Sequence, residues 1–281
     1  MNPSESTVSG IPDYVLKRAM KPWPEYARKF ITSKSTCVTS FGDPSISRIA
    51  TIGINPTTTE FLDRKSRSSD LAGSPIPLPQ NRKRFVDYEI LNKSEGAPLD
   101  VEEAMAVVRK CQDYFKGLRT PFFTSLEENV LKNISKTFVY GENAVHLDIV
   151  QWSTQIAWNE FRSANPEVAT KLLEEDLLFL ERQVKENNFD IVYLNGQTVM
   201  SELKKIMGEE LDLRQFSYSP SERMPSKRSS GRSPFLPGVY SGFFFDKKCV
   251  AYTGFVGQDR VKFNPKTLQE ELPKIAASWD I

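Results

Sequence analysis

The run Ile46-Ser47-Arg48-Ile49-Ala50-Thr51-Ile52-Gly53-Ile54-Asn55-Pro56-Thr57-Thr58 constrains this chain more than any other stretch. Its apolar part reads as a β-strand that stops at Gly53-Ile54-Asn55-Pro56 and spills into a polar loop. Gly53 permits close backbone approach. Pro56 fixes φ and has no N–H with which to extend a ladder. Asn55 therefore falls at the carboxyl end of a strand, where open α/β sheets seat their ligands. Its amide offers both a donor and an acceptor to a water or a polar substrate atom.

The rest of the chain alternates helical and strand patterns. Residues 1–45 read as a helical lead-in, broken by Pro22 and Pro24. A strand over 46–54 is followed by a long polar segment, 57–98, rich in Pro, Ser, Arg and Lys. Residues 100–115 form a helix with Asp100 as N-cap and Glu103 three residues on. A further helix opens at Ser125. A buried strand over 144–150 precedes the longest helix, 166–187, with Pro166 in its first turn. A strand over 189–194 stops at Asn195-Gly196 and leads into a helix over 197–207. A second basic loop spans 214–238, a hairpin uses 239–245 and 248–253, and a helix over 266–278 closes the pattern. Strands alternating with helices argue for one doubly wound sheet with helices on both faces, in a single domain over 1–281.

Composition narrows the function classes. Hydrophobic residues make up 39% and aromatics 11% of 281, so a packed core is expected. The net charge of +1 means that a nucleic-acid partner must be met by a local patch. Cys37, Cys111 and Cys249 are odd in number and far apart, which fits neither a disulfide framework nor a zinc site. Buried thiols in a reducing compartment are the expectation. No apolar run approaches membrane-spanning length, and Met1–Gly10 lacks the features of a signal peptide. The expected location is intracellular and cytoplasmic. His146 is the single histidine, which excludes mechanisms that need two.

Right-handed crossovers should bring four segments to one sheet edge: Asn55-Pro56, Asp148 to Trp152, Asn195-Gly196 and Gly254 to Gly257. Their order resembles that of the uracil-DNA glycosylase superfamily, in its mismatch-specific and thymine-DNA glycosylase branch. Gly53-Ile54-Asn55-Pro56 matches the first motif. His146 to Thr154 resembles the strand that reads the extruded base, and Ile191 to Gly196 the third strand. Val250 to Phe255 lies where relatives carry a second motif and a DNA-inserting loop. The resemblance implies a three-layer α/β/α sandwich around a mostly parallel, twisted four-stranded sheet. It implies a DNA glycosylase that acts without metal or cofactor, with DNA as partner, as a monomer. The second motif departs from the family: a His-Pro-Ser or Asn-Pro-Ser pattern is replaced by Gly254-Phe255-Val256-Gly257-Gln258-Asp259-Arg260.

The resemblance gives roles to single residues. Asn55 holds the attacking water beneath the sugar, a task that suits a bond broken through an oxocarbenium-like state. Asp148 takes the place of an asparagine that faces the Watson–Crick edge in uracil-specific relatives. An ionised Asp148 accepts only, and cytosine N4 donates; in its acid form it would donate to the departing base. Either way a cytosine-type or modified base, such as a hypermodified phage cytosine, is expected rather than plain uracil. Gly53, Ile54, Pro56, Phe61, His146, Trp152 and Asn195 are expected around the base, with Phe61 or Trp152 stacking on it. Phe255 and Val256 are candidates for a wedge, beside Gly254, Gln258 and Arg260. Arg64, Lys65, Arg82, Lys83 and Arg84 in the first long loop, and Lys227, Arg228 and Arg232 in the second, are expected on DNA phosphates. No lysine lies in the motifs, so no Schiff-base step is expected. Two other readings stand beside this one: a glycosylase fold kept for DNA binding alone, and a nucleotide-binding enzyme on a flavodoxin-like sheet. The absence of a Gly-rich phosphate loop opposes the second.

Overall fold

The structure, a computed structural model, describes residues 7–62, 83–117, 119–218, 235–236, 238–254, 256 and 265–279. In chain order the regular elements are β1 (Thr7–Val8), β2 (Ile11–Pro12), α1 (Asp13–Met20), β3 (Ile49–Gly53), α2 (Val101–Gln112), α3 (Pro121–Leu126), α4 (Lys132–Ile134), β4 (Ala144–Asp148), α5 (Trp158–Ala164), α6 (Pro166–Glu186), β5 (Ile191–Asn195), α7 (Gln197–Met207), β6 (Asp212–Tyr218), β7 (Gly238–Phe244), β8 (Lys247–Tyr252) and α8 (Pro265–Ser278). Two compact units emerge, each made from three stretches of chain. The first takes Met1–Phe41, Ile54–Gly117 and Asp148–Phe179, and the second Gly42–Gly53, Leu118–Leu147 and Leu180–Ile281.

In the first unit, α1 packs against α2. The Asp100 side chain accepts from the Glu103 backbone N–H, and Glu103 returns the bond to Asp100, so α2 starts on the expected capping box. Ala104, Val107, Val108 and Cys111 form its buried face. The segment after residue 83 is not an open loop: Phe85, Tyr88 and Asp87 are all buried.

The second unit is built on a six-stranded sheet of order β4-β3-β5-β8-β7-β6. The central pairs are parallel, with Ile49 opposite Ile191 and Asn195 opposite Tyr252. The outer pairs β8–β7 and β7–β6 are antiparallel. Residues of β3 and β5 are buried throughout, as strands covered on both faces must be.

The α/β class is as expected, but four strands is too few. The hairpin β7–β8 continues the sheet, and β6 adds an edge strand inside what read as the loop 214–238. Its residues, Asp212-Leu213-Arg214-Gln215-Phe216-Ser217-Tyr218, are mostly polar, and a bulge between Gln215 and Ser217 breaks the two-residue alternation. An edge strand with one side unpaired tolerates that composition. Ends Tyr218 and Gly238 pair with each other, and Val239 pairs with Tyr252. β6 thus ends, and β7 begins, at the edge where β5 and β8 terminate.

Two local constraints hold this edge. A Cβ on Gly242 would sit 1.9 Å from the Asp212 carbonyl oxygen. The β7–β8 turn places Phe245 at φ +47° and Asp246 at +65°, the left-handed region that a two-residue hairpin demands and glycine suits best. Gly242→Ala should therefore lower stability by about 1–3 kcal/mol or more. Asp246→Gly should leave it unchanged or raise it by up to ~1 kcal/mol. Urea denaturation of the two variants measures both effects.

Candidate functional site

Asn55 follows β3 and belongs to the first unit. The Val150 N–H donates to the Ile54 carbonyl at 2.9 Å, holding the strand end beside the chain that follows β4. The Asn55 Nδ2 donates to the Pro56 carbonyl at 3.1 Å and to Thr154 Oγ1 at 2.9 Å. Thr154 Oγ1 in turn donates to the Ile156 carbonyl at 2.8 Å, so it must accept from Asn55. Both amide hydrogens are engaged, which fixes the orientation of the group. Oδ1 accepts no hydrogen bond among the described residues and remains an acceptor for a water.

The segment after β4 is pinned along its length. Gln151 Nε2 donates to the Asp148 and Ile149 carbonyls at 2.8 and 2.9 Å. Gln151 Oε1 accepts from Arg18 Nε at 3.1 Å, and its backbone N–H donates to Asp176 Oδ2 at 3.0 Å. The Ser153 carbonyl accepts from the Thr32 N–H, and the two hydroxyls meet at 2.8 Å. Trp152 lies within this assembly. The Arg18 guanidinium sits 4.8 Å from its ring centroid, and the ring is 1% exposed. Trp152 is therefore a core residue under a cation and not the exposed platform a base would stack on.

Asp148, at the end of β4, is buried at 6% exposure. Glu60 is equally buried and stands on a short turn, Thr58–Glu60, just after Pro56. It accepts from Tyr114 Oη at 3.1 Å and from Arg84 Nη1 at 3.3 Å. Burial pushes the Glu60 carboxyl above its ordinary value; Arg84 and Tyr114 pull it back, and the Asp148 charge adds to the rise. Thr58 Oγ1 on the same turn is buried without a hydrogen-bond partner. The first unit thus holds an amide oxygen that accepts no hydrogen bond among the described residues, a buried hydroxyl and two buried carboxyls. Phe61 is 1% exposed and stacks on Phe85 at 5.6 Å, which itself stacks on Tyr114 at 5.2 Å. Phe85 occupies one face of the ring expected to meet the base.

The second unit holds the other expected residues. His146 is a core histidine: Nδ1 lies 2.8 Å from Thr51 Oγ1, which lies 2.6 Å from Tyr140 Oη. Phe122 and Phe123 meet its ring edge-on at 5.5 and 5.3 Å. Asn195 uses both ends of its amide on one residue, donating to the Val256 carbonyl at 2.9 Å and accepting from its N–H at 3.2 Å. Val256 is buried at 4% exposure, so it is a packed residue and not a projecting wedge. A Cβ on Gly254 would meet the Tyr252 ring at 2.4 Å.

Of the residues expected on DNA, Arg64, Lys65, Arg82, Lys227, Arg228, Arg232, Phe255, Gln258 and Arg260 lie outside the described residues. Lys83 is not a surface cation. Its side chain is 3% exposed and pairs with Asp87 and Glu89, both at 2.9 Å. Arg84 is held by Glu60 and by Tyr114 Oη at 3.0 Å. Asp87 and Glu89, close in sequence, pair with Lys83, and Glu60, 24 residues away, pairs with Arg84; a reading of the basic run alone overlooks them. Thr154, Glu60, Tyr114, Arg18 and Asp176 are site residues that sequence reasoning missed. Arg18 and Asp176 had a signal: each is a charge on an apolar helix stripe, among Tyr14, Val15 and Ala19, and among Leu172, Leu173 and Leu180.

Among the described residues no group of acidic, histidine and cysteine side chains is placed to hold a metal ion. No helix among them is long and apolar enough to cross a membrane. No family model matches the chain, and no curated protein matches it.

The raised Glu60 carboxyl has a pH signature. Folded Glu60 keeps its proton above the ordinary value of 4.5, whereas unfolded Glu60 loses it there. Stability from this group therefore falls as pH rises from about 4.5 through the folded value. Glu60→Gln should make that decline shallower, read as the urea midpoint across the same range.

Proposed function

We propose that this protein is a monofunctional DNA glycosylase of the uracil-DNA glycosylase type, with a three-layer α/β/α fold, acting within the cell on DNA as a monomer. The target nucleotide is extruded, because its glycosidic bond cannot be reached within the stack. A water accepted by Asn55 Oδ1 attacks C1′ on the face opposite the base. The C1′–O bond forms as the C1′–N bond breaks; the bonding pair leaves with the base, which takes up the proton lost by the water, and an abasic sugar remains. Asp148 reads the base edge, and a carboxylate there favours an amino-bearing base of the cytosine type over uracil.

One observation carries this reading: Thr154 and the Pro56 carbonyl take both amide hydrogens of Asn55 and leave its oxygen as the open acceptor. An amide without such partners flips freely and presents a donor as often as an acceptor. The first-motif resemblance supports the same assignment independently of that geometry.

Base release from single- and double-stranded DNA carrying uracil, mismatched thymine, cytosine or substituted cytosines tests the proposal, with abasic sites revealed by alkaline cleavage. Asn55→Ala should lower release by about 10²–10³-fold or more while leaving DNA binding intact. Thr154→Val, which removes the acceptor that orients Asn55, should lower it by roughly tenfold. Absence of release from every substrate, with salt-sensitive DNA binding retained, would replace this reading by that of a DNA-binding module.

A further inference from the structure

Arginine and aspartate are among the side chains least often buried, yet Arg18 and Asp176 are only 6% and 3% exposed. They meet at 2.7 Å, Nη2 to Oδ1, between α1 and α6. Each has a second partner, and it is the same residue. Arg18 Nε donates to the Gln151 side chain, and the Gln151 backbone donates to Asp176 Oδ2. Gln151 has no free polar group left: its carbonyl accepts from Val38, and its Nε2 grips the Asp148 and Ile149 carbonyls. The Arg18 guanidinium also covers the Trp152 ring. Three residues beyond Gln151, Thr154 holds Asn55.

Stability alone does not account for this arrangement. A buried ion pair is commonly no more stable than apolar residues of similar volume, because desolvation offsets the attraction. What an ion pair supplies is direction: a guanidinium fork and two carboxylate oxygens accept only a narrow range of geometries. The backbone between Asp148 and Thr154 is tied to that geometry at its midpoint.

We infer that Arg18 and Asp176 are positioning residues for base release: through Gln151 they set the spacing between Asp148, which reads the base, and Asn55, which holds the water. The inference rests on the glycosylase reading. It gives the pair a role in the rate of the chemical step, because water and base must be held on opposite sides of C1′. Neither residue touches substrate.

The test uses the full chain with Arg18→Met/Asp176→Leu, an apolar pair, and Arg18→Lys, which keeps the charge but loses the Nε donor to Gln151. Base release is measured with kcat and KM separated. Side-chain amide signals of Asn55 are followed in ¹H–¹⁵N spectra, assigned by loss in Asn55→Ala. Expected is a kcat lower by roughly tenfold or more in both variants, KM within about twofold, and displaced Asn55 amide signals. A folded variant with kcat and amide signals unchanged overturns the inference, and so does a change confined to KM. If the apolar pair does not fold, Arg18→Lys decides by the same criteria. If the wild-type protein releases no base, the glycosylase reading fails by itself. The Asn55 signals then decide the brace: displaced signals uphold the coupling, and unmoved signals overturn it.

Discussion

The buried ion pair between Arg18 and Asp176 sets conditions that its neighbours must meet. Removing either partner would strand a charge in the interior, at a cost of about 3–5 kcal/mol. The pair therefore cannot loosen without the unit around it loosening too. Gln151 is locked by both partners, and with it the strand end that carries Asp148. Residues 153 and 154 are held by Thr32 and Asn55. A polar loop at a sheet edge would ordinarily be the least rigid part of such a unit. Here it has more buried hydrogen bonds to distant segments than to itself.

The acidity around Glu60 and Asp148 bears on substrate choice. Carboxyls suit a base that brings donors, and they oppose the growth of negative charge on a departing one. Glycosylase chemistry at such a place therefore depends on a leaving group that does not carry full charge, or on a carboxyl that keeps its proton. Burial holds the Glu60 carboxyl above its ordinary value. The rings of Phe61, Phe85 and Tyr114 stack in a row, and the Tyr114 hydroxyl at its end donates to Glu60.

Much of the frame was legible in the residues. Asn55-Pro56 marks where β3 ends, Asp100 and Glu103 mark where α2 begins, and Pro166 opens the longest helix, because caps and prolines act locally. The edge strand was not legible. Its polarity and its bulge erase the alternation by which strands are recognised, and only pairing with β7 reveals it. Lys83 and Arg84 belonged to a basic run and read as surface; in the fold they face Asp87, Glu89 and Glu60. Thr154 could not be found from spacing at all. It lies 99 residues from the amide it orients, and its place at the end of the segment His146 to Thr154 does not reveal that partner.

Each unit is drawn from three separated stretches, and this governs how the chain must be made. The first unit lacks part of itself until residue 179 has been synthesised, and the second takes in residues on both sides of that point. No contiguous fragment contains either one without part of the other. Dissection by truncation should yield pieces that expose unfinished cores, and a nascent chain must keep its early segments soluble while waiting for distant partners. Contacts between residues so far apart in sequence close large loops and slow the search for the native state. For a molecule built in this way, chaperone dependence and expression yield should respond to changes at the crossing points near residues 41, 53, 117, 147 and 179, where the chain passes from one unit to the other.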